Sequence, residues 1–387
     1  MSDLTYLDHA ATTPLDEEVL EAMLPYMKQD YGSATTLYSI GRAAGQAVED
    51  AREKVAALIG AQTNEVFFTS GGTESDNWAV FGVASAKAKK GNHIITSKIE
   101  HHAILEPVHL LEKRGAAATY LGVDANGLIS LDDLKAAITD ETVLITIMHA
   151  NNEIGTIQPV EEIGRIAREK HIHFHTDTVQ TVGHIPVDVN AIGCDSLALS
   201  AHKLYGPKGI GAMYIRKGAR VDRFMYGGGQ ESNKRAGTHN VAGIVGLGKA
   251  AELAKARMAD EAAATIKLRD ALIEGIESRI KDVKLNGDRV KRLPNNVNFS
   301  FEGIEGESMI LLMDMNGICV SSGSACTSGS LDPSHVLMAL GMKHEQAHGS
   351  LRMTLGNDNT MAQIEKVLDT LPGIVERLRE MSPIYNQ

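Results

Sequence analysis

The stretch Val66-Phe67-Phe68-Thr69-Ser70-Gly71-Gly72-Thr73-Glu74 decides the fold class. Apolar residues of high strand propensity run into small residues that favour a turn, and a helical pattern follows over 74–88. The same order of strand, turn and helix recurs downstream. Strand-like runs stand at 93–95, 143–148, 173–175 and 197–199, with helical patterns at 102–114 and 160–170. Upstream, 40–59 carries apolar residues three and four apart and stops at Gly60, a residue suited to a left-handed helix cap. Strands separated by helices predict a mainly parallel sheet covered on both faces. After a further strand at 211–215 and the run Gly227-Gly228-Gly229, an Ala-rich helical stretch over 241–280 reads as a connector. A smaller α+β unit follows, with a strand at 297–301, a helix at 307–315, a Ser/Gly loop at 321–330, a strand near 351–354 and a terminal helix. The expected organisation is a large α/β domain over 15–254 and a small domain made of 1–14 and 255–387.

Composition narrows the function. The chain has 387 residues, 43% hydrophobic and 22% charged, the make-up of a globular enzyme-sized protein and not of a disordered or collagenous one. Lys and Arg total 38 against 49 Asp and Glu, a net charge of -11 that no dense basic run relieves, so nucleic acid is not an expected partner. No uncharged apolar stretch reaches the ~18 residues of a membrane span. The segment Met1 to Pro14 lacks the basic and apolar regions of a signal peptide, which makes the cytoplasm the expected location. Three cysteines, Cys194, Cys319 and Cys326, cannot all pair internally; this suits a reducing compartment and leaves a thiol for chemistry.

Three features carry candidate chemistry. Thr69 to Glu74, between a strand and a helix, presents backbone N–H groups at a helix N-terminus and reads as a phosphate cradle around Gly72 and Thr73. It lacks the Lys of a nucleotide P-loop and the spacing of a dinucleotide fingerprint, so a smaller phosphate-bearing cofactor fits better; a plain glycine turn is the competing reading. Second, a period of two places His171, His173, His175 and Asp177 on one strand face. That face suits either a transition metal or a strand-end carboxylate pairing with a heterocyclic N–H⁺. Taken singly, each His is more readily a satisfied or solvated residue. Third, Lys203 in Ser200-Ala201-His202-Lys203 stands between a strand and a glycine-rich turn, where a buried amine gains nucleophilicity. Phosphate cradle, strand-end Asp and downstream Lys, in that order, are the anchors required by pyridoxal phosphate.

Together with Tyr6-Leu7-Asp8, Ala11-Thr12-Thr13-Pro14, Glu100-His101-His102, His149-Ala150-Asn151-Asn152-Glu153-Ile154-Gly155, Asp177-Thr178-Val179-Gln180, Arg235-Ala236-Gly237-Thr238, Ser321-Ser322-Gly323-Ser324-Ala325-Cys326 and Leu351-Arg352, these runs span nearly the whole chain. On them the chain resembles the cysteine desulfurases of the nitrogen-fixation-like branch, among class-V aminotransferases. The resemblance implies the aspartate-aminotransferase-like transferase fold, fold type I, and pyridoxal 5'-phosphate as cofactor. It implies that His101 stacks on the cofactor ring, that Asp177 faces the ring nitrogen and that Gln180 bonds the phenolic oxygen. Gly72, Thr73, Ser200 and His202 would hold the phosphate, with Thr238 reaching in from a second subunit of a homodimer. Lys203 would be the covalent anchor, and Asn152 and Arg352 would hold the substrate carboxylate; the planar fork of Arg352 suits that task. The resemblance lapses at Gly32-Ser33-Ala34-Thr35-Thr36-Leu37-Tyr38, where relatives commonly carry Gly-Asn-Pro-Ser-Ser.

Cys326 lies in 321–330, a run of Ser, Gly, Ala, Thr and one Cys with almost nothing to bury, expected to be mobile. Cys319 between Ile318 and Val320, and Cys194 after Ile192-Gly193, read as buried small hydrophobes. The expected reaction converts L-cysteine to L-alanine and leaves sulfur as a persulfide on Cys326, for delivery to an acceptor protein such as an iron–sulfur scaffold or a tRNA-thiolation protein. No metal enters this reading. A selenocysteine lyase or an aminotransferase would share the cofactor anchors; a metal-dependent hydrolase on the His-rich strand and a catalytically idle sulfur-relay scaffold are the rivals from other classes.

Overall fold

In chain order the strands of the computed structural model are β1 (Thr5–Tyr6), β2 (Val66–Thr69), β3 (His93–Ser97), β4 (Ala117–Leu121), β5 (Thr142–Thr146), β6 (His173–Asp177), β7 (Ser196–Ser200), β8 (Gly211–Ile215), β9 (Val283–Leu285), β10 (Asn296–Phe301), β11 (Ile318–Cys319) and β12 (Ser350–Thr354). Residues 4–322, 333–382 and 385 are described; Cys326 lies outside them. Strands β2 to β8 form one sheet in the order β2-β8-β7-β6-β5-β3-β4. It is parallel from β7 to β4, whereas β8 runs antiparallel to both β2 and β7. All these strands except β4 are buried along their whole length, the condition of a sheet covered on both faces.

One face packs on the helices Ser39–Ile59 and Val160–Glu169 through Val48, Val55, Ile59, Ile163 and Ile166. The other packs on Gly72–Ala86 and His102–Lys113 through Trp78, Val83, Ile104 and Val108. Gly60 closes the first of these helices at φ +70°, as its sequence predicts. The edge strand β4 escapes the sequence reading because Ala117-Ala118-Thr119-Tyr120 is half-exposed and carries no apolar run. The helix Glu17–Lys28 also escapes it. His171 is corrected: it sits in a turn at φ +54° ahead of β6, so the strand face begins at His173.

The connector is a single helix, Val241–Arg279, whose 39 residues span about 58 Å. Its first half buries Ile244, Leu247 and Ala251 in the core of the large sheet, and its second half buries Leu272, Ile273 and Ile276 in another core. That second core packs the antiparallel sheet β12-β10-β9 against the helix Met361–Met381. Leu7 joins it from the N-terminus, beside the parallel pairing of β1 with β11. Among the described residues no helix is long and apolar enough to cross a membrane.

Candidate active site

The carboxyl ends of β2, β3, β5, β6 and β7 open toward one crevice, the position at which ligands bind in open α/β sheets. After β2 the chain turns at Gly71, φ +157°, into the helix Gly72–Ala86, and no side chain caps that helix. A Cβ on Gly72 would stand 2.6 Å from Val179 Cγ2, so only glycine lets the helix end sit against the loop that follows β6. Buried Ser200, at the end of β7, places its Oγ 3.7 Å from where a Cβ of Gly71 would be. Thr73 is exposed in the first helical turn. The result is an uncapped helix N-terminus flanked by hydroxyls, a ready anion site.

Asp177 ends β6, where the period-two pattern puts it. It is buried, and its Oδ1 accepts a hydrogen bond from Val179 N at 2.8 Å. Burial pushes its carboxyl up to about 6, opposed by the Val179 N–H and the Lys203 charge. Among the described residues it has no ion-pair partner within reach. Lys203, in the short turn Ala201–Lys203 after β7, donates from Nζ to Ala10 O and, at 2.7 Å, to Ala11 O. The segment between Asp8 and Thr13 therefore lies across the crevice; Gln180 Nε2 also donates to Ala10 O at 3.1 Å, and His202 Nδ1 lies 3.2 Å from Thr12 Oγ1.

His101 is the N-cap of the helix His102–Lys113, its Nδ1 accepting from Ala103 N at 3.1 Å. Burial, reinforced by the charge of Lys203, holds its imidazole down at about 4, so it is neutral at physiological pH. Arg352, on β12, is buried at 3% exposure; Nη2 donates to Asp8 Oδ1 at 2.9 Å and Nη1 to the Asn152 carbonyl at 3.1 Å, while Nε is buried without a partner. Asn152 thus offers its backbone to Arg352, and its side-chain amide bonds none of the described residues. Thr238 is not brought to the others. It is exposed, three residues beyond Arg235, whose guanidinium pairs bidentately with Glu74 on the cradle helix at 2.7 and 3.1 Å.

The metal reading of the His-rich strand fails on its hydrogen bonds. His173 Nε2 and His175 Nδ1 share Ser196 Oγ at 2.8 and 2.9 Å, and His175 Nε2 meets Asp76 Oδ1 at 3.1 Å. Both rings are buried, and burial lowers both below their ordinary value. Cys194 is buried, but Cys319 is corrected to part-exposed.

A family model described as Aminotransferase class-V matches residues 5–367. The chain belongs to the class-V aminotransferase family. Within it the chain is similar to cysteine desulfurases. It is 56% identical over 387 residues to cysteine desulfurase IscS of Clostridium botulinum, covering 100% of this chain and 98% of that one. It is 57% identical over 382 residues to cysteine desulfurase IscS of Dictyoglomus turgidum, covering 99% and 97%. The solved structure of a NifS-like protein matches with a TM-score of 0.91 and 38% identity, covering 97% of this chain and 100% of that one. SspA in complex with cysteine matches with a TM-score of 0.81 and 36% identity, covering 92% and 100%.

Sequence reasoning missed several groups of this class-V site. Asp8 was quoted only as part of a motif, yet it carries the ion pair to Arg352. Asp76 and Glu100, both fully buried, line the floor near Asp177, and burial raises both carboxyls, Glu100 to about 8. Glu100, like Asp8, was quoted only within a motif, and Asp76 is hidden in the polar run Thr73-Glu74-Ser75-Asp76-Asn77, where nothing in the sequence sets it apart.

Proposed function

We propose that this class-V aminotransferase is a cytoplasmic, homodimeric, pyridoxal 5'-phosphate-dependent cysteine desulfurase that turns L-cysteine into L-alanine and passes its sulfur through Cys326 to an acceptor protein such as an iron–sulfur scaffold. The observation that carries the reading is the meeting of Asp177, Lys203 and the uncapped Gly72–Ala86 helix at one crevice. The residues fit the cofactor. A buried carboxylate without an ion-pair partner suits a protonated heterocyclic nitrogen, a helix N-terminus that a Gly72 Cβ would distort suits a phosphate, and an amine beside both suits an aldehyde. When bound, the cofactor supplies an electron sink for the Cα of an amino acid.

The chain's own groups do the rest. Gly72, Thr73, Ser200 and His202 hold the phosphate, Thr238 completes that site from the partner copy, and Gln180 and neutral His101 orient the ring. Lys203 Nζ, held by the Ala10 and Ala11 carbonyls, would hold the cofactor's aldehyde and would move the substrate's Cα proton. Arg352 and Asn152 grip the carboxylate, using the unsatisfied Nε and the unengaged amide. The Cys326 thiolate attacks the substrate sulfur, so that an S–S bond forms as the Cβ–S bond breaks, and the released carbon leaves as alanine after protonation. The sum, L-cysteine plus enzyme thiol giving L-alanine plus enzyme persulfide, balances without an external oxidant.

Borohydride treatment followed by peptide mapping, together with alanine release from L-cysteine, tests this. Reduced cofactor on Lys203 and stoichiometric alanine are expected. A colourless protein, a cofactor on another lysine or an absence of alanine would overturn the reading.

A further inference from the structure

Glu153 follows Asn152 in the turn after β5. Its backbone is fully employed: the N–H donates to Asn151 Oδ1 at 2.8 Å, and the carbonyl accepts from Asn298 Nδ2 at 3.0 Å and Asn296 Nδ2 at 3.2 Å. Those bonds knit the turn to β10 and need no carboxylate. Yet the side chain is buried and makes no ion pair among the described residues, and burial lifts its carboxyl to about 7, opposed by the Ser334 hydrogen bond and the more distant Arg352 charge. Its one hydrogen-bond partner among the described residues is the hydroxyl of Ser334, which donates to Glu153 Oε2.

Ser334 follows closely, in sequence, the residues 323–332 that contain Cys326. Its Oγ accepts from Leu337 N at 3.2 Å and so caps the helix His335–Ala339, and His335 Nε2 lies 3.0 Å from the Glu100 carbonyl. On the upstream side, Ser321 and Arg352 exchange backbone hydrogen bonds at 3.0 and 2.6 Å. Each stem is thus fastened to a group at, or one residue from, a proposed site residue: Ser321 to Arg352, Ser334 to the neighbour of Asn152, and His335 to the neighbour of His101. Of these fastenings, only that between Glu153 and Ser334 is made by two side chains, and it is the one direct contact that uses the buried carboxylate.

We propose that Glu153 is a positioning residue for sulfur transfer, acting through Ser334 to hold the stem of the Cys326 segment in register with the carboxylate-binding pair Asn152 and Arg352. The inference rests on the reading of Cys326 as the sulfur acceptor. It separates two steps that the site residues share. Binding of cysteine by Arg352 does not use the Glu153 side chain, whereas presentation of the thiol does.

The test uses the holoenzyme and three substitutions. Glu153→Gln keeps an acceptor for Ser334, Glu153→Met keeps the length and removes it, and Ser334→Ala removes the donor in case the Met protein folds poorly. The readouts are the single-turnover rate of persulfide formation on Cys326, by mass, and KM for L-cysteine. Losing one buried hydrogen bond to a positioning contact is expected to slow sulfur transfer about tenfold in the Met and Ala proteins. Their KM should stay within about twofold, the double variant should be no slower than either single one, and Gln should stay within about threefold of wild type. Sulfur transfer at the wild-type rate in Glu153→Met or Ser334→Ala, a Gln protein as slow as the Met protein, or an effect confined to KM would overturn the proposal. If Cys326→Ala itself desulfurates cysteine normally, the underlying reading fails; if Cys326→Ala is inert while Glu153→Met is normal, only the role of Glu153 fails.

Discussion

Arg352 Nη2 donates to Asp8 Oδ1 at 2.9 Å, so the guanidinium proposed to bind the substrate's carboxylate is already held by a carboxylate of the N-terminal segment. Burial pushes the Asp8 carboxyl up, and the Arg352 charge and hydrogen bond oppose it. The pair fixes one arm of the fork and leaves Nε, buried and unsatisfied, for a ligand. Asp8→Ala is expected to raise KM for cysteine about tenfold, the worth of one charge-assisted hydrogen bond, with kcat within about twofold. Asp8→Asn retains an acceptor and should lose less. Steady-state kinetics giving an unchanged KM for Asp8→Ala would show that Arg352 needs no such support.

Tyr31, Leu37 and Tyr38 are 75%, 88% and 55% exposed, an unusual amount of large apolar surface for one short stretch. Leu37 and Tyr38 also fall in the run 32–38, where the resemblance drawn from the sequence lapses. Thr238 is exposed too, and no hydrogen bond ties it to the site of its own chain among the described residues. The interface of the proposed homodimer, if it covers both, would account for each. Leu37→Asp should shift sedimentation toward the monomer and weaken cofactor binding, while Thr238→Ala should weaken cofactor binding about tenfold and leave the dimer intact. A monomeric Leu37→Asp protein that holds the cofactor as tightly as wild type would remove the partner from the site.

Buried parallel strands announce themselves as short apolar runs, and for that reason the sheet, its crossover helices and the strand-end positions of Asp177 and Lys203 were legible from the sequence. The half-polar edge strand β4 was not, since its burial is set by what packs on it and not by its own pattern. Motif resemblance likewise named Arg352 but not Asp8 as its partner, because the two are brought together only when the N-terminal segment lies beside β12. His171 shows the opposite failure: the period of two was extended one step past the point where a left-handed turn interrupts it.

Glu231 illustrates a contact that no local pattern could reveal. Its carboxylate accepts two hydrogen bonds from Arg52, at 2.7 and 2.9 Å, and one each from Phe68 N and His239 Nε2, at 2.8 and 2.7 Å. Glu231, Ser232 and Asn233 all hold positive φ, at 47°, 55° and 64°, so this cluster fastens a strained turn close ahead of Arg235 and Thr238. Burial raises the Glu231 carboxyl, but the bonds from Arg52 and His239 outweigh it and bring it down from 4.5 to about 2. A depressed carboxyl stabilises the fold above its unfolded value of 4.5 and loses that contribution as pH falls toward 2. Glu231→Gln should therefore cost roughly 3 kcal/mol at neutral pH, leaving buried Arg52 with only the more exposed Glu49 carboxylate, 3.2 Å away, as counter-charge. In denaturant titrations the gap to wild type should narrow below about pH 4.5; a gap that stays constant with pH would mean that shape, and not charge, holds the turn.

The proposal that Cys326 carries the sulfur is supported by what the other two cysteines lack. Cys194 is fully buried, and burial lifts its thiol to about 12, so it is held as the unreactive thiol at neutral pH. Cys319 is part-exposed, but burial and the charges of Asp314 and Asp8 raise its thiol as well, and its backbone is tied into β11 beside β1. Neither offers the reachable nucleophile that sulfur transfer requires. Cys326→Ala is expected to bind cofactor and cysteine normally, as judged by absorbance, yet to release alanine at least about a hundredfold more slowly. Cys319→Ala and Cys194→Ala should stay within about threefold of wild type once their stability is matched. In wild-type protein incubated with cysteine and no reductant, the peptide containing Cys326 should gain one sulfur atom. Extra sulfur on the Cys319 peptide instead, or normal alanine release by Cys326→Ala, would assign the chemistry to a thiol on β11 or to a lyase route in which no enzyme sulfur takes part.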